Sequence, residues 1–147
     1  MFEIPDNIHK NIQRLCAQGD ANLEVRDFSR AYESFISALA LVPEPKHDFE
    51  ATTWILAALG DTYFFSKDFA QLRNVLTDAM HCPGAIGNPF LHLRLGQAQF
   101  ELNDLDRAAD ELCRAYMGAG KVLFENDDPK YFEFLKTRIL PPEGGKW

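Results

Sequence analysis

The sequence of 147 residues has no long apolar run, no cluster of basic residues and too few cysteines for more than one disulfide. No segment is apolar for long enough to predict a helix that spans a bilayer. Lysine and arginine number 15 against 22 acidic residues, and the net charge of −7 disfavours a nucleic-acid or anionic-membrane surface. The 3 cysteines are widely spaced, and no signal peptide opens the chain, so we expect a cytoplasmic protein.

Motifs that carry chemistry are also missing from the sequence. It contains no Gly-x-Ser-x-Gly, no phosphate-binding glycine loop and no His-Glu-x-x-His. The adjacent residues His81 and Cys82 have no second cysteine or histidine pair that would complete a zinc set. We therefore predict no catalytic residue, no metal site and no cofactor, and an enzyme with an unrecognised site stays a remote alternative.

Helical periodicity is clearest over residues 90–116, where two apolar stripes flank a short polar break. In that break Asn103 can end the first helix, and Asp104 can accept hydrogen bonds from the N–H groups that open the second. Gly96 and Ala108 are small, which lets two antiparallel helices approach closely. Because a single hairpin cannot bury its own apolar face, the pattern predicts further copies.

The same spacing occurs three times along the chain. The three sets are Gly19, Ala31, Phe35 and Ala38; Gly60, Leu72, Leu76 and Ala79; and Gly96, Ala108, Leu112 and Ala115. This pattern resembles the tetratricopeptide repeat, a helix–turn–helix unit with a Leu-Gly pair in its first helix and Ala-x3-Phe-x2-Ala in its second. His92 and Gln99 depart from the family, which places Trp and Tyr at those positions.

The resemblance implies an all-α solenoid of antiparallel helix hairpins with about seven helices. We expect a single domain over residues 1–147, with repeats at 8–43, 49–82 and 89–117 and a capping helix at 129–140. A short leader should precede a first helix capped by Asn7. We also expect residues 122–124 to prolong the sixth helix and residues 143–147 to form a loose tail.

The concave face is the predicted site, because in the family the first helix of each repeat lines a groove. The family's offsets place these residues there: Trp54, Asp61, Phe64, Phe65, Phe90, Arg94, Gln97, Phe100 and Glu101. They imply a non-catalytic protein–protein interaction module, an adaptor or scaffold, which binds a protein or peptide partner. Co-chaperones of the family grip a carboxylate in this groove, but only Arg94 matches their basic residues, so that role is not predicted.

Two further interpretations stay open at the level of the sequence. The protein could instead be an immunity-type inhibitor that neutralises a bacterial toxin, because an acidic surface would suit a basic target. The closing helix, or the N-terminal leader, could also fold into the groove and bury its aromatic rings, since large exposed apolar patches are uncommon on monomers. The sequence predicts neither the identity of the partner nor the oligomeric state.

Overall fold

The computed structural model describes residues 3–147, and within that range the protein is all-helical without a strand. The seven α-helices, α1 to α7 in chain order, are Asp6–Glu24, Phe28–Leu41, Glu50–Phe65, Phe69–Ala79, Pro89–Glu101, Leu105–Ala119 and Pro129–Lys136. Short 3-10 helices precede α3 at Lys46–Asp48 and follow α6 at Lys121–Phe124. The prediction of an all-α fold with about seven helices is confirmed.

The chain divides into two compact units, one that extends to Ala85 and one that comprises Ile86–Trp147. The first unit contains two hairpins, α1 with α2 and α3 with α4, and α3 also packs against α2. The second unit contains the α5–α6 hairpin and α7, which packs against α6. The solenoid arrangement and the single domain over residues 1–147 stay predictions.

All three hairpins turn through the same backbone conformation. One residue at each turn has a positive φ near 60°, and these residues are Arg26, Lys67 and Asn103. The next residue in each case is an aspartate whose N–H donates to a carbonyl five residues back. The N···O distances for Asp27, Asp68 and Asp104 are 2.9, 2.9 and 2.8 Å. This combination is the Schellman motif, which pairs carbonyls that a helix end would otherwise leave unsatisfied.

Each first helix carries a glycine that lies against a large side chain of the second helix. The three pairs are Gly19 and Phe35, Gly60 and Leu76, and Gly96 and Leu112, with the same separation along the chain. A Cβ atom added to the glycine would lie within 2.5, 3.0 and 2.8 Å of the partner side chain, respectively. The close approach that the spacing predicts for Gly60 and Gly96 is therefore confirmed, and it extends to Gly19.

The predicted core positions of the second helices are all fully buried. They have a relative exposure of 0% at Ala31, Phe35, Ala38, Leu72, Leu76, Ala79, Ala108, Leu112 and Ala115. Burial of these apolar side chains is the main contribution that the hairpins make to stability.

Two expected helix caps differ in the structure. Helix α1 begins at Asp6 with Pro5 in the N-cap position, so Asn7 does not cap it. Asp104 occupies the N-cap position of α6 but accepts no capping hydrogen bond, and its carboxylate pairs with Arg107 at 3.3 Å instead. Asp27, by contrast, caps α2, since its Oδ1 accepts from the N–H of Arg30 at 3.2 Å.

The C-terminal region also differs from expectation. Gly120, with φ of 74°, ends α6, and the following residues form a separate 3-10 helix instead of prolonging α6. The ring of Trp147 lies 5.8 Å from that of Tyr116 and 5.9 Å from that of Phe132, so the end of the tail is not loose. Of the predicted leader, residues 1 and 2 lie outside the described part of the chain.

Candidate functional site

Trp54 is the most exposed of the predicted site aromatics, with 55% of its surface accessible. Its neighbours Thr53 and Ile55 are buried, because α3 packs against α1, α2 and α4 within the first unit. A helix with packed neighbours on several sides is apolar almost all round, as α3 is. Trp54 therefore projects from the side of α3 that those helices leave open.

A cleft of about 490 Å³ lies beside Trp54, entirely within the first unit. We call it the Trp54 cleft. Its walls come from residues 3–9 around the start of α1, from residues 48–54 around the start of α3, and from Pro83. Four of its side chains are carboxylates: Glu3, Asp6, Asp48 and Glu50. Among the described residues, the lining also includes His9 but no lysine or arginine.

The segment that forms one wall of the cleft is held in place by Lys46. Its Nζ donates to the carbonyl of Leu39 at 3.0 Å and to that of Val42, at the C-terminal end of α2. A cation at this position is favourable because the carbonyl end of a helix carries a partial negative charge. The backbone carbonyl of Lys46 in turn accepts from the hydroxyl of Thr52, which ties the 3-10 helix to the first turn of α3.

Two further polar contacts join the connections of the first unit to its helices. His47 Nε2 lies 2.8 Å from a carboxylate oxygen of Asp78 on α4. The hydroxyl of Thr53 donates to the carbonyl of Pro83 at 2.8 Å, which positions Pro83 next to Trp54. Hydrogen bonds therefore hold the connection that precedes α3 and the connection that follows α4 against the helices, and both contribute residues to the lining of the cleft.

The electrostatic character of the Trp54 cleft is negative. Within residues 3–147 none of its four carboxylates forms an ion pair. Asp6 and Glu50 lie in the first turns of α1 and α3, where the partial positive charge of the helix stabilises them. Glu3 lies before α1 and Asp48 in the 3-10 helix. A concave site lined by one sign of charge concentrates ligands of the opposite sign.

The other predicted residues of α3 lie away from this cleft. Asp61, Phe64 and Phe65 follow Trp54 by seven to eleven residues, which corresponds to about 10–16 Å along a helix. The Phe64 ring contacts Phe65 at 5.3 Å and Phe69 at 6.4 Å between centroids, near the turn into α4. The structure therefore does not bring them to the cleft beside Trp54.

In the second unit, the predicted site residues of α5 have partners from the end of the same chain. Nη1 of Arg94 lies 3.1 Å from Oδ2 of Asp127 and 2.8 Å from Oε1 of Gln97. The amide nitrogen of Gln97 also donates to Oδ2 of Asp127, at 2.8 Å. Arg94 and Gln97 are buried, with exposures of 6% and 0%. Phe90 lies under the guanidinium of Arg94, 5.0 Å from its carbon to the ring centroid.

Helix α7 covers the remaining two predicted residues of α5. The Phe100 ring lies 5.5 Å from that of Tyr131 and 5.1 Å from that of Phe134. The hydroxyl of Tyr131 donates to Glu101 at 2.8 Å, and burial together with this hydrogen bond raises the pKa of Tyr131 above its usual value. Within the second unit, the closing helix α7 therefore covers this face of α5. This agrees with the interpretation that the closing helix packs over some of the predicted aromatic residues.

His92 is a structural residue with both ring nitrogens engaged. Its Nε2 accepts from the backbone N–H of Gly87 at 3.0 Å, so the proton of the neutral ring lies on Nδ1. That nitrogen donates to a carboxylate oxygen of Glu111 on α6. His92 is therefore a satisfied histidine between the helices of the α5–α6 hairpin.

The remaining comparisons add no further site. No group of three or more His, Cys, Asp or Glu residues in the described range is arranged to hold a metal ion. None of the described helices is long and apolar enough to cross a membrane. No protein-family model matches this chain, and no curated protein matches it either. Membership of the tetratricopeptide family stays a prediction.

Sequence reasoning missed the carboxylates of the Trp54 cleft and the role of Asp127. Asp6 and Glu50 lie at the starts of two helices, where acidic residues are common, so their positions in the sequence did not indicate a binding site. Nothing in the spacing indicated that residues 3–9 and residues 48–54 meet. Asp127 lies just before α7, and its contact with Arg94 depends on the position of that segment.

Proposed function

We propose that this protein is a non-catalytic interaction module that binds a protein or peptide partner, with Trp54 as an anchor residue. The observation that carries the proposal is the exposed Trp54 ring in the wall of an acidic cleft. Tryptophan is strongly enriched among the residues that contribute most to binding at protein interfaces. The cleft volume also falls within the range that is typical of ligand sites.

The proposal concentrates on the first unit because the α5 residues already have partners. Arg94 and Gln97 bind Asp127, and the ring of Phe100 packs on α7. A partner on that face would have to displace α7 and separate a buried ion pair, which is costly. The resemblance to tetratricopeptide repeats, which bind partners on their first helices, supports the same class of function.

An inhibitor of a basic protein toxin is the second candidate function. Two observations favour it: the net charge of −7, and the absence of lysine and arginine from the described residues that line the Trp54 cleft. Such charge accelerates association with a basic target and selects against acidic partners. A secreted-toxin gene next to the gene of this protein, together with loss of that toxin's activity on mixing, would support inhibition over an adaptor role.

Partner capture with matched variants tests the proposed function. The tagged wild type, Trp54→Ala and Met117→Ala would each be incubated with native cytosol, and the bound proteins identified. Met117 is the control because it is an apolar residue in α6 with 79% exposure and lies outside the cleft. We expect a partner that the wild type and Met117→Ala both retain and that Trp54→Ala loses. Equal capture by all three would contradict the role of Trp54.

A further inference from the structure

We propose that the Trp54 cleft binds a positively charged side chain, arginine or lysine, from an extended segment of the partner. This inference rests on the proposed function, because it names the chemistry that the partner presents at the same site. It distinguishes this protein from members of the resembled family that hold a negatively charged group with basic residues.

Charge complementarity is the first argument for a cation. Some carboxylates elsewhere on the surface are paired within about one helical turn, as Asp110 is with Arg114 and Glu133 with Lys136. The four carboxylates of the Trp54 cleft have no such partner in the described residues, and no lysine or arginine in that range lines the cleft. Bringing an arginine or lysine among them would offset their mutual repulsion, whereas an acidic ligand would increase it.

The carboxylates alone would not define a binding site, because Asp6 and Glu50 also stabilise helix N-termini. The exposed ring of Trp54 is the independent observation. An aromatic face attracts a cation through its quadrupole, and tryptophan does so more strongly than tyrosine or phenylalanine. A cleft with a tryptophan wall and carboxylates around it thus offers both kinds of contact that a guanidinium group makes.

The dimensions and the apolar lining of the cleft indicate a peptide and not a free ion. A volume of about 490 Å³ accommodates one long side chain together with parts of its neighbours. Ile4, Ala51 and Pro83 supply apolar surface along the walls, which suits an apolar residue next to the cation. We expect arginine to bind more tightly than lysine, because guanidinium is planar, weakly hydrated and able to stack on Trp54.

Mixtures of capped hexapeptides, each with one central residue held constant, provide the direct test. The constant residue would be arginine, lysine, citrulline, leucine or glutamate, and citrulline is the neutral counterpart of arginine with nearly the same shape. A Trp147→Phe background makes Trp54 the only tryptophan, so its fluorescence reports binding at the cleft. We expect the arginine and lysine mixtures to bind at least about tenfold more tightly than the citrulline mixture, which corresponds to about 1.4 kcal/mol.

Two double variants with the same change in net charge separate the cleft from the surface in general. Glu3→Gln with Asp48→Asn neutralises two cleft carboxylates outside the α-helices. Glu125→Gln with Glu143→Gln removes the same charge from exposed positions of the second unit. We expect the first pair to weaken binding of the arginine mixture about tenfold and the second pair to leave it unchanged.

Three outcomes would overturn the inference. Equal binding of the citrulline and arginine mixtures would show that charge does not decide the occupant, while Trp54 remained the anchor of the proposed function. Equal weakening by both double variants would indicate a general charge effect without a defined site. No response to any mixture would exclude a peptide cation in the cleft, and partner capture with Trp54→Ala would then decide the proposed function separately.

Discussion

Arg94 and Asp127 form a buried ion pair, with 3.1 Å between Nη1 and Oδ2 and side-chain exposures of only 7% and 12%. Gln97 donates to the same carboxylate oxygen. The pair joins the middle of α5 to the segment that leads into α7. Buried polar contacts of this kind require defined geometry. They therefore specify the position in which α7 packs as well as contributing to stability.

Removal of Asp127 should therefore destabilise the protein more than removal of its neighbour. Asp127→Ala leaves the buried donors of Arg94 and Gln97 without this acceptor, and we expect a loss of about 3 kcal/mol in the free energy of unfolding. Asp128→Ala is the control, because it removes only the cap that accepts from the N–H of Lys130 and should cost about 1 kcal/mol. Urea denaturation measures both; equal losses would show that the Arg94–Asp127 pair has no special weight.

The glycine contacts predict a graded response to alanine substitution. Gly19→Ala would place a Cβ atom 2.5 Å from the Phe35 ring, and we expect a loss of about 1–3 kcal/mol from overpacking. Gly60→Ala should cost less, because its nearest contact is a terminal methyl group of Leu76 at 3.0 Å. The higher helix propensity of alanine, worth about 0.5–1 kcal/mol relative to glycine, offsets part of the cost of this contact. A larger loss for Gly60→Ala than for Gly19→Ala in denaturant unfolding would contradict this order.

The two predicted groove aromatics Trp54 and Phe100 should behave in opposite ways. Phe100 packs against the rings of Tyr131 and Phe134, so Phe100→Ala should leave a cavity and cost about 3 kcal/mol. Trp54 is 55% exposed, and Trp54→Ala should cost less than about 1 kcal/mol while it weakens partner binding. Thermal and urea unfolding of both variants test this contrast, which fails if Trp54→Ala proves the less stable of the two.

Tyr131 predicts a loss of stability at alkaline pH. Its pKa is raised in the folded protein by burial and by its hydrogen bond to Glu101, whereas in the unfolded chain it is about 10. Above that pH the unfolded state binds fewer protons than the folded state, so the free energy of unfolding falls as pH rises. Tyr131→Phe should lose less stability between about pH 9 and pH 11 than the wild type does. Parallel stability curves for the two proteins would contradict the shift.

The hairpins could be predicted from the sequence because their determinants are local. Asp27 and Asp68 follow residues that take a positive φ and precede apolar stripes, and caps and turns of this kind involve only a few consecutive residues. The close helix contact at Gly96 could likewise be predicted from the position of this glycine in the helical repeat. The hydrogen-bond partner of a side chain at such a turn could not always be predicted. Asp104 was expected to cap α6, but its carboxylate pairs with Arg107 instead.

The sequence by itself determined the helices, their turns and the buried stripe of each second helix, because these follow from periodicity and backbone hydrogen bonding. Only the tertiary structure decided which candidate residues remain accessible. The packing of α3 in the first unit exposes Trp54 beside carboxylates from residues 3–6 and 48–50. In the second unit, by contrast, helix α7 covers Phe100, and Arg94 forms an ion pair with Asp127. These contacts join residues that are far apart in the chain, and no local spacing encodes such long-range pairing.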